Sequence, residues 1–133
     1  MRLEDHVDIV SNYDVIAVRQ KVRLLAAEIG FSPTDQVMLA AAVTELARNI
    51  LGYAGRGELL LHAIEEAGRR GIAVVARDRG PGIPDVEKAL QTPYSVAAGL
   101  GGGLRGVKGL MDSLEIISIP GKGTTVTARK WQS

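Results

Sequence analysis

The chain has 133 residues, of which 46% are hydrophobic and 23% charged, and a formal charge of +1. That is room for one domain with a single core, and so even a balance gives no strong electrostatic footprint for nucleic acid or an anionic membrane. There is no cysteine, which excludes disulfides, cysteine-ligated zinc and thiol catalysis. His6 and His62 lie far apart in sequence, which speaks against a two-histidine metal site. No apolar run reaches membrane-spanning length. The start, Met1 to His6, lacks the apolar core of a signal peptide. The expectation is a single intracellular, cytoplasmic domain over residues 1–133.

Val7 to Val10 alternates and reads as a short strand. Ser11 or Asn12 caps a helix whose apolar stripe is Val15, Val18, Val22, Leu25 and Ile29, and Gly30 ends it. Ser32-Pro33-Thr34-Asp35 starts a second helix, to about Leu51. From Val37 to Ala47 its only strongly polar residue is Glu45, so burial on nearly all sides is expected. A carboxylate there costs several kcal/mol unless it has a partner or a task. Asn49 follows four residues on, on the same face. A helix cap or Arg48 is one possible partner for Glu45; a catalytic role is the other reading.

Gly55 to Gly57 is a turn, Glu58 to Glu65 a strand, and Ala67 to Gly71 a hairpin turn. The next strand, Gly71 to Arg77, ends at Asp78. The following Gly80-Pro81-Gly82-Ile83-Pro84 forces a turn that a flat ligand can approach closely. Asp85 to Gln91 is a short helix at most and Thr92 to Gly103 a loop. Leu104 to Leu114 reads as a helix, Glu115 to Ile119 as a strand, Pro120 to Gly123 as a turn. Thr124 to Trp131 is a last strand, with Val126, Ala128 and Lys130 opposite Thr125, Thr127 and Arg129. This order predicts an α+β two-layer sandwich: a mixed, mostly antiparallel sheet with helices on one face.

Of the sixteen glycines, six lie between Gly99 and Gly109, and others sit in the turns around that stretch. Glycines that run into a helix N-terminus let N–H groups converge on an anion, and the helix dipole adds to the field. No Walker A spacing is present. Gly101, Gly103 and Gly106 match G-x-G-x-x-G by letter, but the loop follows loop and a hairpin follows the helix, so a dinucleotide fold is rejected.

Glu45-x-x-x-Asn49, Asp78-x-Gly80-x-Gly82, the Gly99–Gly106 loop and Gly121-Lys122-Gly123-Thr124-Thr125 stand in one order. Together they resemble the N, G1, G2 and G-T boxes of the GHKL (Bergerat-fold) ATPases and kinases. Glu45-Leu46-Ala47-Arg48-Asn49-Ile50, Tyr53-Ala54-Gly55 and Gly106-Val107-Lys108 are most similar to the RsbT-type serine/threonine switch kinases of the bacterial stressosome. That resemblance implies an ATP- and Mg²⁺-dependent protein serine/threonine kinase. Its substrates would be STAS-domain partners in a stress-signalling pathway, and when released it would activate a PP2C-type phosphatase. The alternatives are an anti-sigma-factor kinase and a nucleotide-gated binding module with little turnover.

The resemblance also implies roles. Asp78 would accept a hydrogen bond from the adenine amino group, with Gly80, Gly82 and Ile83 forming the turn the base approaches. Asn49 would ligate Mg²⁺. Gly99, Leu100, Gly101, Gly102, Gly103 and Leu104 would wrap the phosphates, and Thr124 or Thr125 would bond near the adenine. Glu45 would be the general base. Arg105 would either steady the γ-phosphate or be a solvated helix-start residue.

Overall fold

The structure, a computed structural model, describes residues 4–83, 85, 86, 90 and 103–132. The described elements are β1 (Glu4–Ile9), α1 (Asn12–Ile29), α2 (Pro33–Tyr53), β2 (Gly57–Glu66), β3 (Arg69–Asp78), α3 (Gly103–Leu110), β4 (Ser113–Ile119) and β5 (Gly123–Trp131). The strands form one sheet in the order β1-β2-β3-β5-β4, and all four described pairings are antiparallel. The helices cover one face of it, as the α+β reading expects. The short helix expected over 85–91 and the glycine loop over 92–102 lie almost wholly outside the described residues.

Local signals set the helix ends. Asp14 Oδ2 accepts from the amides of Val10 (2.8 Å) and Ser11 (3.0 Å), two donors at the start of α1. Those bonds hold the Asp14 carboxyl below its ordinary range, the Val10 amide most strongly. Gly30 ends α1 at a φ of 105°, a left-handed position that favours glycine. Ser32 Oγ caps α2 by accepting from the Asp35 amide.

The core lies between helices and sheet. Val15, Val18, Val22, Leu25 and Ile29 of α1 meet Leu39, Val43, Leu46 and Ile50 of α2 and the inward residues Ile9, Leu59, Leu61, Ile72, Val74, Val126 and Ala128. Leu104, Val107 and Met111 close it from the α3 side. All-round burial of α2 is confined to Ala42 through Ala47, and Val37 is exposed.

Two expected boundaries are corrected. The hairpin turn between β2 and β3 is only Ala67-Gly68, both left-handed, while Arg69, Arg70 and Gly71 pair with Glu66, Glu65 and Ile64. A two-residue turn of that hand matches the twist of its strands. The expected helix over 104–114 stops at Leu110. The Asp112 amide donates to the Arg129 carbonyl, its carboxylate takes the Trp131 amide, and Ser113 enters the sheet opposite Arg129. Pairing with β5 overrides the helical spacing of Met111 and Leu114.

Candidate nucleotide site

The sheet end and two helices enclose a cleft of about 370 Å³, open mouth included, lined by Leu46, Asn49, Ile50, Tyr53, Ala76, Asp78, Ile83, Leu104, Thr124 and Val126. Six of these are aliphatic, so the walls suit a flat apolar body, and few polar groups fix its orientation. Of the sequence-predicted residues, Asn49, Asp78, Ile83, Leu104 and Thr124 meet here.

Asp78 is the last residue of β3, opposite Thr124 of β5. Its Oδ1 accepts from the Gly80 amide at 2.9 Å, so the side chain is fixed by its own turn. Around it the chain is packed to the backbone. A Cβ on Gly80 would stand 2.7 Å from the Ala54 Cβ. Gly82 has a φ of 81°, and a Cβ there would stand 2.7 Å from the Ile119 carbonyl oxygen. A Cβ on Gly123, at a φ of 134°, would collide with the Asp78 carbonyl oxygen. The turn after β3 is also tied to the β4–β5 turn, through the Gly121 amide on the Pro81 carbonyl at 2.8 Å. The Ile83 amide donates to Ser118 Oγ at 2.6 Å, and Ser118 Oγ lies 3.0 Å from Thr124 Oγ1. Ser118 thus links the turn to the buried Thr124.

Sequence reasoning missed Ser118, although alternation in β4 places it inward with Leu114 and Ile116. Its polarity on that face was the available signal. Tyr53, Leu46 and Ile50 were missed as wall residues; the helical spacing of Leu46, Ile50 and Tyr53 sets them beside Asn49. Of the two threonines, Thr124 lines the cleft. Thr125 faces the opposite side of the sheet, in a polar cavity with Arg77 and Glu58.

Glu45 is 8% exposed. Its Oε2 accepts from the Gly103 amide, the first residue of α3, at 3.2 Å, and Oε1 lies 3.9 Å from the Arg48 guanidinium. Both partners foreseen for a buried carboxylate, a helix start and Arg48, are therefore present. Arg48 is largely solvated, so the helix N-terminus is the stronger anchor. Glu45 adjoins the cleft through Gly103, whose neighbour Leu104 lines it. Arg105 is exposed and lines a separate surface cavity with Leu90, Lys108 and Gly109. Gly99, Leu100, Gly101 and Gly102 lie outside the described residues.

The donor set fits an adenine nucleotide and its metal. Asp78 offers a carboxylate acceptor at an apolar slot, and Asn49 offers an amide oxygen one turn from Glu45, suited to a hard cation that keeps most of its waters.

The profile of the histidine kinase-like ATPase domain matches residues 11–130. The chain is 43% identical over 125 residues to the serine/threonine-protein kinase RsbT of Bacillus subtilis (strain 168), covering 94% of each chain. It is 31% identical over 121 residues to the anti-sigma F factor of Thermoanaerobacter sp. (strain X514), covering 85% of this chain and 82% of that protein. In structure it resembles the RsbU and RsbW domains of a Mycobacterium tuberculosis protein, with a TM-score of 0.64 at 21% identity, over 98% of this chain and 33% of that one. Fold and site therefore define a GHKL-class domain that uses ATP. The chain belongs to the histidine kinase-like ATPase domain family and is a protein serine/threonine kinase. None of its described helices is long and apolar enough to cross a membrane.

Proposed function

We propose that the protein is a cytoplasmic switch kinase that transfers the γ-phosphoryl group of ATP to a serine or threonine of a STAS-domain partner. One observation supports this most: a buried carboxylate, Glu45, held at the N-terminus of α3, one turn from Asn49 and beside the cleft that Asn49 and Asp78 line. Asp78 accepts the adenine amino group, a donor that guanine lacks at that position. Thr124 and Ser118 steady the turn beside the base. Asn49 holds Mg²⁺, which when bound supplies positive charge to the phosphate oxygens. The amides of the first turn of α3 after Gly103, whose own amide is bonded to Glu45, and those of the glycines Gly99 to Gly102 donate to those oxygens. Glu45 accepts the proton of the attacking hydroxyl. Arg105 lies on the same helix start but lines a separate surface cavity, and Arg105→Ala decides between a γ-phosphate contact, which lowers transfer, and a solvated residue, which leaves it unchanged.

The wider reading follows the relatives. Similarity to an RsbT kinase and to anti-sigma F factors supports a partner-switching role. In it the kinase exchanges a STAS-domain antagonist for a PP2C-type phosphatase. A sigma factor as the second partner is the alternative, favoured by the anti-sigma relatives. The test is incubation with ATP, Mg²⁺ and purified STAS-domain proteins of the same genome, followed by mapping of the phosphorylated residue. Phosphoserine or phosphothreonine on one of them is expected. No transfer to any, under conditions where ATP binds, overturns the substrate assignment.

A further inference from the structure

Among the described residues, Lys130 and Asp35 are buried charges outside the cleft, and Lys130 is 6% exposed on the inward face of β5. Its Nζ donates to the Leu110 carbonyl oxygen, at the C-terminus of α3, at 3.1 Å. It also stands 3.9 Å from Oδ1 of Asp35, in the first turn of α2 and itself buried. An ammonium withdrawn from water is costly, and an apolar residue of similar volume often serves stability as well or better. What this one does is specific in place. A cation at a helix C-terminus meets the negative end of the dipole and the last free carbonyls.

The helix it holds is the one that carries Gly103. α3 has eight residues, so it is a rod of about 12 Å between the Lys130 contact and the Gly103 amide. The glycine run of the sequence leads directly into its start. Beyond its end, the Asp112 amide on the Arg129 carbonyl and the Asp112 carboxylate on the Trp131 amide fix the following turn to the same stretch of β5. The C-terminal end of α3 is thus tied to β5, Leu104 and Val107 pack it on the core, and its N-terminal end lies beside Glu45.

We infer that Lys130 is a positioning residue for the polyphosphate of the nucleotide. By pinning the C-terminus of α3 to β5 and α2, it sets where the α3 N-terminus presents its amides. This rests on the kinase reading above, since it takes ATP as the ligand of that helix end. Lys130 touches neither base nor phosphate. It acts on the part of the ligand that adenosine lacks.

The experiment is calorimetric binding of adenosine and of Mg²⁺–ATP to the full chain, wild type against Lys130→Met. Adenosine affinity is expected to stay within about twofold, while ATP affinity falls about tenfold, the size of one charge-assisted hydrogen bond. A merely structural lysine would lower both alike or neither, and either result overturns the inference. Lys130→Arg keeps the charge and moves the donors. If Lys130→Met does not fold, the ATP-to-adenosine affinity ratio of Lys130→Arg decides: a fall of about threefold supports the inference and no change overturns it. A wild-type protein that binds ATP no better than adenosine overturns the kinase reading along with it. A wild type that prefers ATP, with a variant that prefers it equally, overturns this inference alone.

Discussion

The two ends of the cleft are built differently. At the Asp78 end, backbone meets backbone. Gly82 lies against the Ile119 carbonyl, Gly123 against the Asp78 carbonyl, and Gly121 and Ile83 tie two turns together. At the Glu45 end, one amide–carboxylate bond joins α2 to the start of α3, and a buried lysine holds that helix at its far end. The first end is over-determined and preformed, as a pocket that selects a rigid base should be. The second rests on a short helix that packs on the core through Leu104 and Val107 and is bonded at each end by a buried charged side chain. In the proposed mechanism, selection and reaction fall to these separate parts of the fold.

Substitutions should keep these ends apart. Glu45→Ala is expected to have the largest effect, a loss of about 10³ in single-turnover phosphotransfer with ATP affinity within a fewfold of wild type. Loss of binding together with transfer would merge the two ends. Next, Gly123→Ala forces a Cβ into the Asp78 carbonyl at a left-handed position and should cost about 3 kcal/mol in urea unfolding. Adenosine and ATP should weaken together in it. Ser118→Ala leaves the Ile83 amide without its hydroxyl acceptor and should lower the affinity of both ligands about fivefold, a loss of roughly 1 kcal/mol. A selective loss of ATP alone would place Ser118 at the wrong end.

The smallest effect is remote from the site. Asp14→Ala removes the acceptor of two amides at the start of α1 and should lower the melting temperature slightly, with no change in binding. The folded-state pKa of Asp14 is depressed, so its contribution is full above the ordinary value of 3.8 and is lost as pH falls through the lower folded value. The difference between the variant and wild type should close over that acid range.

Much of this was legible before any coordinates. An acid in an otherwise apolar helix, an acid before a Gly-Pro-Gly turn, and a glycine at the end of α1 each follow from one local rule. What was not legible depended on pairings distant in sequence. Met111 and Leu114 continue the helical period past Leu110, and only the claim of β5 on Asp112 and Ser113 stops it. Ser118 is an ordinary strand residue until the Ile83 amide arrives from 35 positions away. Alternation already placed Lys130 inward with Val126 and Ala128, but the carbonyl it serves belongs to another element. That Thr124 and not Thr125 faces the cleft was recoverable, because Thr124 shares the face of Val126.

The division between selection and reaction is tested most directly by Asp78→Asn. ATP and GTP affinities would be measured on the wild type and on this variant. The wild type should prefer ATP by about a hundredfold, and the variant should bind ATP at least tenfold more weakly with most of that preference gone, since the carboxylate proposed to accept from the amino group has changed. An unchanged ATP affinity with an unchanged ATP-to-GTP ratio would contradict the account, and Asp78 would then be only the acid that begins a turn.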